Sequence, residues 1–314
     1  MQRSSSVGAA LLLVTAVIWG LAFVAQRAGM QHVGPFTFNA IRFALGVVTL
    51  LPLLPLTRGN RRRVTAGRTV RFGLATGVVL FGGASLQQIG IVFTTAGNAG
   101  FITGLYLVMV PLLGILRRQR VGAVRWMAVG LATLGMYLLS VTPGTAVNPG
   151  DLLVLASALF FALHVQMIDH GARHLDALLL SVVQYAVVAL GSAVTARAIE
   201  TVSTASLAAA APAILYGGIG SISIAYTLQV YGQRSVEPSH AAIILSLEGA
   251  FAVLGGWLVL SEVLSARALA GCLLMLSAML LSQLWPRRQG GRAATRPTLP
   301  QPAAGGGIPA EIAD

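Results

Sequence analysis

Apolar stretches about 20 residues long recur through this chain, joined by short polar connections, and this pattern restricts the fold more than any other feature. A helix of that length spans the hydrocarbon core of a bilayer. Lipid offers the backbone no hydrogen-bond partner, so a spanning segment must be a helix or part of a closed barrel. Ten segments can be drawn, at approximately 7–26, 35–56, 71–92, 97–116, 122–141, 150–168, 177–198, 212–233, 239–260 and 266–285. Their connections carry turn and breaker residues, as in "GMQHVGP" and "SVEPSH". Charged residues make up only 10% of the 314, against roughly 25% in soluble domains. The expected class is an all-α membrane protein with ten transmembrane helices. The tail over 286–314, rich in Pro, Gly and Ala, is expected to be a disordered cytoplasmic segment.

Displacing the sequence by 142 residues lays one half over the other without a gap. "LLLVTAVIWGLAF" (11–23) falls on "LVLASALFFALHV" (153–165). Gly29 and His32 fall on Gly171 and His174, and Gln87 and Gly90 on Gln229 and Gly232. The implied units are residues 1–146 and 147–285, with five spans each. An odd number of spans means that the second unit enters the membrane the other way up, an arrangement common among secondary transporters.

Loop charges test this independently. All 21 basic residues are Arg, and with a cytoplasmic N-terminus 17 of them lie inside. Arg27, Arg197 and Arg267 fall outside, and Arg42 lies within a span. Matching loops differ as inversion requires: "RGNRRRVTAGR" (58–68) corresponds to "ETVSTASLAAA" (200–210), and Arg120 to Glu262. Arg-rich short loops stay cytoplasmic, so both termini are expected inside. Residues 8–32 match the interior stretch 150–174, so the first span reads as a retained helix and not as a cleaved signal.

Composition also excludes function classes. The net charge of +12 sits in short loops and tails, not on a soluble basic face, so nucleic acid is not an expected partner. Without lysine there is neither a P-loop lysine nor Schiff-base chemistry. Cys272 stands alone, which rules out an intrachain disulfide and a Cys-type metal cluster. No catalytic group, metal site or cofactor is expected.

Of the nine acidic residues, Glu248 alone is expected deep in a span, in "AAIILSLEGAFAVLGGWLVL" (241–260). Asp151, Asp169, Asp176, Glu200, Glu237 and Glu262 fall near span ends or loops, and Glu311 and Asp314 in the tail. An ionisable group near mid-bilayer costs at least about 2.5–3.5 kcal/mol. Glu248 can bind a proton, oppose a substrate ammonium, pair with Arg42, or lock two helices together. Arg42, in "AIRFAL", sits roughly 10 Å below the outer surface. It can snorkel outward, cap helix carbonyls or meet an anion. The repeat sets Glu248 over Tyr106 and Arg42 over Gln184, so the positions are kept and the charges are not.

His164, Gln166, Gln184, Tyr226 and Gln229 gather in the cytoplasmic half of the second unit. Counting helical rises puts His164, Gln184, Gln229 and Glu248 at similar depth, where they can line one cavity. Imidazole titrates near neutral pH and can carry a proton; a hydrogen bond between helices is its plainer use. Gln87, Gln88 and Asn98 form an outward-side group, and Trp19 can gate a path or simply pack. Pro111 and several glycines are candidate hinges.

The stretches "AVIWGLAFVAQRAG", "FNAIRFALG", "GNAGFITGLYLVMVPLLG" and "SHAAIILSLEGAFAVLGGWLVLSEVLSARALAGCLLML" resemble the EamA-type family of the drug/metabolite transporter superfamily. The likeness covers residues 8–285; where such proteins often carry proline after the acid, this chain has Gly249. The resemblance implies a central cavity lined by spans 1, 3, 4, 6, 8 and 9 in a bacterial inner (plasma) membrane protein. It also implies export of small metabolites (amino acids or related compounds) or drug-like molecules by alternating access, with possible proton coupling. The expected partners are a small-molecule substrate and the lipid bilayer, with the chain a monomer or a homodimer. The alternatives are an intramembrane enzyme acting on lipid and a non-transporting receptor or scaffold. An enzyme would need paired nucleophile and base or metal ligands, and neither His-Glu-x-x-His nor Gly-x-Ser-x-Gly occurs.

Overall fold

The computed structural model describes residues 2–55, 66–113, 122–140, 147–171, 175–233, 235–236, 244–245 and 247–284. The regular elements among them are all helical: α1 (Gln2–Gly29), α2 (Pro35–Leu50), α3 (Ala66–Phe93), α4 (Ala96–Gly104), α5 (Tyr106–Leu113) and α6 (Ala123–Ser140) in the first half. The second half holds α7 (Pro149–Gly171), α8 (Ala177–Ile199), α9 (Thr204–Leu215), a π-helical segment (Tyr216–Ala225), α10 (Tyr226–Gln233), α11 (Glu248–Leu260) and α12 (Ala266–Leu284). Six helical stretches are long and apolar enough to cross a membrane, and four shorter apolar helices accompany them among the described residues. The Arg58–Arg63 and Arg117–Arg120 loops, the boundary at residue 146, the Pro111 side chain and the tail over 286–314 lie outside the described residues.

Local chemistry explains where the helices begin. Pro35 opens α2, where a missing N–H costs nothing. The next two amides, of Phe36 and Thr37, donate to the Glu200 carboxylate at 2.9 and 2.8 Å. Thr95 caps α4 by accepting from the Asn98 amide at 3.0 Å, and Glu262 accepts from Ala96 and Gly97 at 2.9 and 3.3 Å. A carboxylate at a helix N-terminus satisfies orphan donors and complements the dipole. Glu262 reaches that place because Ser261, in the left-handed region at φ 56°, ends α11. A reciprocal Ser203/Ser206 capping box starts α9 at Thr204, earlier than the 212 expected from hydropathy. Pro212 is thereby carried inside the helix, and the π-helical segment follows it.

The sequence repeat is also a packing symmetry. α1 lies along α9, the π segment and α10 as α7 lies along α3, while α2 packs on α8, α4 on α11 and α6 on α12. Two close backbone approaches obey the same relation. A Cβ on Gly232 would fall 3.0 Å from the Gly8 carbonyl oxygen, and one on Gly90 would fall 2.8 Å from that of Gly150. Only glycine allows helices this close. Arg27 near the end of α1 donates to the Ile91 and Val92 carbonyls at the end of α3, and Gly150 at the start of α7 touches Gly90 in the same region. The end of α1 and the start of α7 therefore share one end of the bundle, so these counterpart helices run in opposite directions.

Polarity is distributed as lipid demands. Val78, Leu190 and Val194 on the perimeter are 62%, 67% and 72% exposed, whereas Asn39, Gln88 and Asp151 are fully buried. Asp151 lies in the first turn of α7, near a span end as expected, and is buried there.

Candidate functional site

The α4–α5 and α11 helices carry the central feature. Leu105, between α4 and α5, has φ −61° and ψ −15°; Leu247, at the start of α11, has φ −67° and ψ −11°. Each donates its N–H to an isoleucine three residues back, Leu105 to Ile102 at 3.1 Å and Leu247 to Ile244 at 3.2 Å. A bond to the third residue back tightens the turn and departs from the regular helical ladder. The two leucines are repeat counterparts, as are the residues that follow them, Tyr106 and Glu248. The helices that carry them pack together: a Cβ on Gly249, next to Glu248, would lie 3.3 Å from Phe101 Cα.

Glu248 is 5% exposed, and among the described residues its carboxylate receives no hydrogen bond. Glycines hold the surrounding helices in contact. A Cβ on Gly20 of α1 would lie 2.7 Å from the Glu248 carbonyl oxygen, and one on Gly100 of α4 would lie 2.4 Å from Ala252 Cβ. The acid thus sits where α1, α4 and α11 converge.

The other polar residues expected at the site fall into separate groups. His164 Nε2 hydrogen-bonds Gln184 Oε1, and Gln184 Nε2 donates to the Leu180 carbonyl at 3.3 Å, which ties α7 to α8. Gln166 donates to the Val110 carbonyl of α5. Gln87 donates to Thr103 Oγ1 at 3.0 Å, two residues before the Leu105 break. Gln88 beside it is fully buried with neither end of its amide partnered. Trp19 Nε1 donates to the Ser221 carbonyl at 3.1 Å, and Tyr216 Oη to that of Ile18 at 3.0 Å, stitching α1 to the π segment. Tyr226 meets Tyr185 edge to face at 6.2 Å. Gln229 is half-buried on α10, and no described contact joins it or the His164–Gln184 pair to Glu248.

Arg42 does not pair with Glu248 among the described residues. Its Nε donates to Asn39 Oδ1 at 2.9 Å, and its guanidinium lies 5.6 and 5.0 Å from the ring centres of Phe38 and Phe43.

Sequence reasoning missed the partners of Asn98. Its side chain donates to Asp151 at 3.3 Å, and Thr94 donates to the same carboxylate, fastening the start of α4 to the start of α7. Thr95 three residues before Asn98 was a legible cap signal; the acid that completes the cluster, 53 residues away, had none.

Comparisons with known proteins agree with this architecture. The EamA-like transporter family matches residues 6–141 and again 148–284. An uncharacterized transporter of Archaeoglobus fulgidus is 33% identical over 278 residues, covering 87% of this chain and 84% of that protein. The uncharacterized transporter YoaV of Bacillus subtilis is 20% identical over 284 residues, covering 84% of this chain and 92% of that protein. A solved crystal structure shares the fold with a TM-score of 0.58 at 20% identity, over 91% of this chain and 99% of the other. Two matched repeats, apolar helices sized for lipid and a third of the residues shared with a transporter along most of both chains lead to one conclusion: this multi-pass membrane transporter belongs to the EamA-like transporter family.

Proposed function

We propose that the protein is a secondary transporter of a bacterial inner membrane that exports small metabolites, amino acids or related compounds among them, or drug-like molecules. It works by alternating access, with ten membrane crossings, both termini cytoplasmic, and the units 1–146 and 147–285 rocking about a shared centre. The observation that carries this reading is the Glu248 carboxylate, 5% exposed and without a hydrogen-bond donor among the described residues, one residue past the break at Leu247.

A bare carboxylate in a closed, low-dielectric site is costly. It becomes tolerable when a proton neutralises it or a substrate ammonium pairs with it. If reorientation requires one or the other, entry of a proton from one side and departure of a cationic solute to the other are linked. The breaks at Leu105 and Leu247 supply the bending points, and discontinuous helices near mid-bilayer are the usual setting for such sites. Trp19, Gln87, Gln88, Gln166, Tyr226 and Gln229 line the route.

The test is solute uptake by everted vesicles with and without a proton gradient, for the wild type and Glu248→Gln. The wild type accumulates solute only with the gradient, and the variant loses that accumulation. Equal gradient-driven uptake by both would overturn the coupling role. Vesicles that moved no candidate solute under any gradient would overturn the export reading.

A further inference from the structure

We infer that Arg42 anchors an anion subsite that holds the carboxylate of the transported solute. The inference rests on the export reading above and adds a second recognition point, on α2, to the one at Glu248.

A guanidinium offers five N–H donors. Arg42 uses Nε–H, on Asn39; its terminal nitrogens meet no acceptor among the described residues, only the faces of Phe38 and Phe43. At 5% exposure the side chain is enclosed by the bundle, which blocks the snorkelling open to a lipid-facing arginine. A helical side chain leans toward its own N-terminus, here toward Asn39, whose Nδ2 donates to the Ala84 carbonyl of α3 at 3.0 Å. Gln88, one turn beyond Ala84, is fully buried with both amide atoms unpartnered. An unsatisfied cation on α2 and an unsatisfied amide on α3 thus each lie one turn from the Asn39–Ala84 contact. The π segment packs closely alongside: a Cβ on Gly217 would touch Arg42 Cδ at 3.4 Å, and one on Gly218 would lie 2.9 Å from the Arg42 carbonyl oxygen.

The molecule contains its own control. Gln184, the repeat counterpart of Arg42, is neutral and is hydrogen-bonded to both His164 and the Leu180 carbonyl. The second unit is complete at this position without a ligand, and the first is not. What completes it follows from the donor set. Guanidinium binds a planar carboxylate through two parallel N–H bonds, and one cation matches its single charge, not the nearly double charge of a phosphate monoester. A lipid phosphate diester shares the single charge, so the test must separate the two sources.

Protein in phosphatidylcholine nanodiscs is unfolded thermally with each proteinogenic L-amino acid and with its carboxamide, and flux of the same solutes into proteoliposomes is followed in parallel. At least one acid is expected to raise the midpoint and to be transported, with its carboxamide doing neither. Arg42→Gln should lose affinity for that acid by about tenfold or more while unfolding no lower than the wild type without ligand. Arg42→Lys should keep part of the response. The proposal is overturned if acid and carboxamide act alike, if no acid shifts the midpoint, or if Arg42→Gln responds as the wild type. It is equally overturned if Arg42→Gln and Arg42→Lys both unfold well below the wild type without ligand, which is the behaviour of a structural anchor. Suppression of the acid response by phosphatidylglycerol would identify a lipid phosphate as the occupant and defeat it too. Flux indifferent to the carboxylate defeats this subsite alone; absence of flux for every solute defeats the export reading with it.

Discussion

The two repeat units of this transporter use the same backbone crossings and different charges. Gly8 against Gly232 in one half is Gly90 against Gly150 in the other, and Leu105 and Leu247 share nearly one backbone geometry. Yet Tyr106 is matched by Glu248, Arg42 by Gln184, Ala22 by His164 and Ala9 by Asp151. Where α1 touches α10 and α7 touches α3, a side chain of any size is excluded, so both halves retain glycine there. Where polar groups point into the bundle, each half answers to a different partner, and a small solute has no twofold symmetry to impose. The shared part builds the scaffold; the divergent part carries recognition.

That division can be tested from both sides. The largest effect should come from the shared crossings: Gly90→Leu and Gly232→Leu each push a side chain into a facing backbone and should destabilise by about 3 kcal/mol or more, to a similar extent, as read by thermal unfolding in detergent. Unequal responses would break the symmetry. The divergent centre should respond unequally, with Glu248→Gln lowering gradient-driven flux about tenfold or more, some 1.4 kcal/mol, and Tyr106→Phe leaving most of it. Gln184→Ala deprives half-buried His164 of its partner and should cost about 1–3 kcal/mol of stability. Glu200→Gln and Glu262→Gln weaken the caps of α2 and α4 and should cost about 0.5–2 kcal/mol each. Ser261→Gly should stabilise by up to about 1 kcal/mol, since glycine adopts the left-handed conformation there freely.

The repeat offset made much of this legible beforehand. It aligns Glu248 with Tyr106 and Arg42 with Gln184, because the packing symmetry puts equivalent residues at equivalent positions in the two units. Hydropathy placed the apolar segments for the same reason that lipid does. It could not say which helix end meets which. Glu200 reaches Thr37 across 163 residues and Glu262 reaches Ala96 across 166, and a local pattern carries no trace of either. The burial of Asp151 follows from the close Gly90–Gly150 approach, a tertiary event, and the early start of α9 follows from a serine cap that a hydropathy window averages away. The expected grouping of His164, Gln184, Gln229 and Glu248 rests on depth alone. Depth leaves rotation about each helix axis undefined, and rotation is what directs His164 to Gln184.

The inverted pairing of the units is the claim on which the rest depends, and it can be read by chemical labelling. Gly8 abuts Ser235 as its counterpart Gly150 abuts the counterpart residue Phe93, and Phe93 is 57% exposed; Ser235 is exposed as well. With buried Cys272 replaced by alanine, Phe93→Cys and Ser235→Cys are treated singly with a membrane-impermeant maleimide. The account expects Phe93→Cys to label in intact cells and Ser235→Cys to label only in everted vesicles. Labelling of both from the same face of the membrane would contradict it.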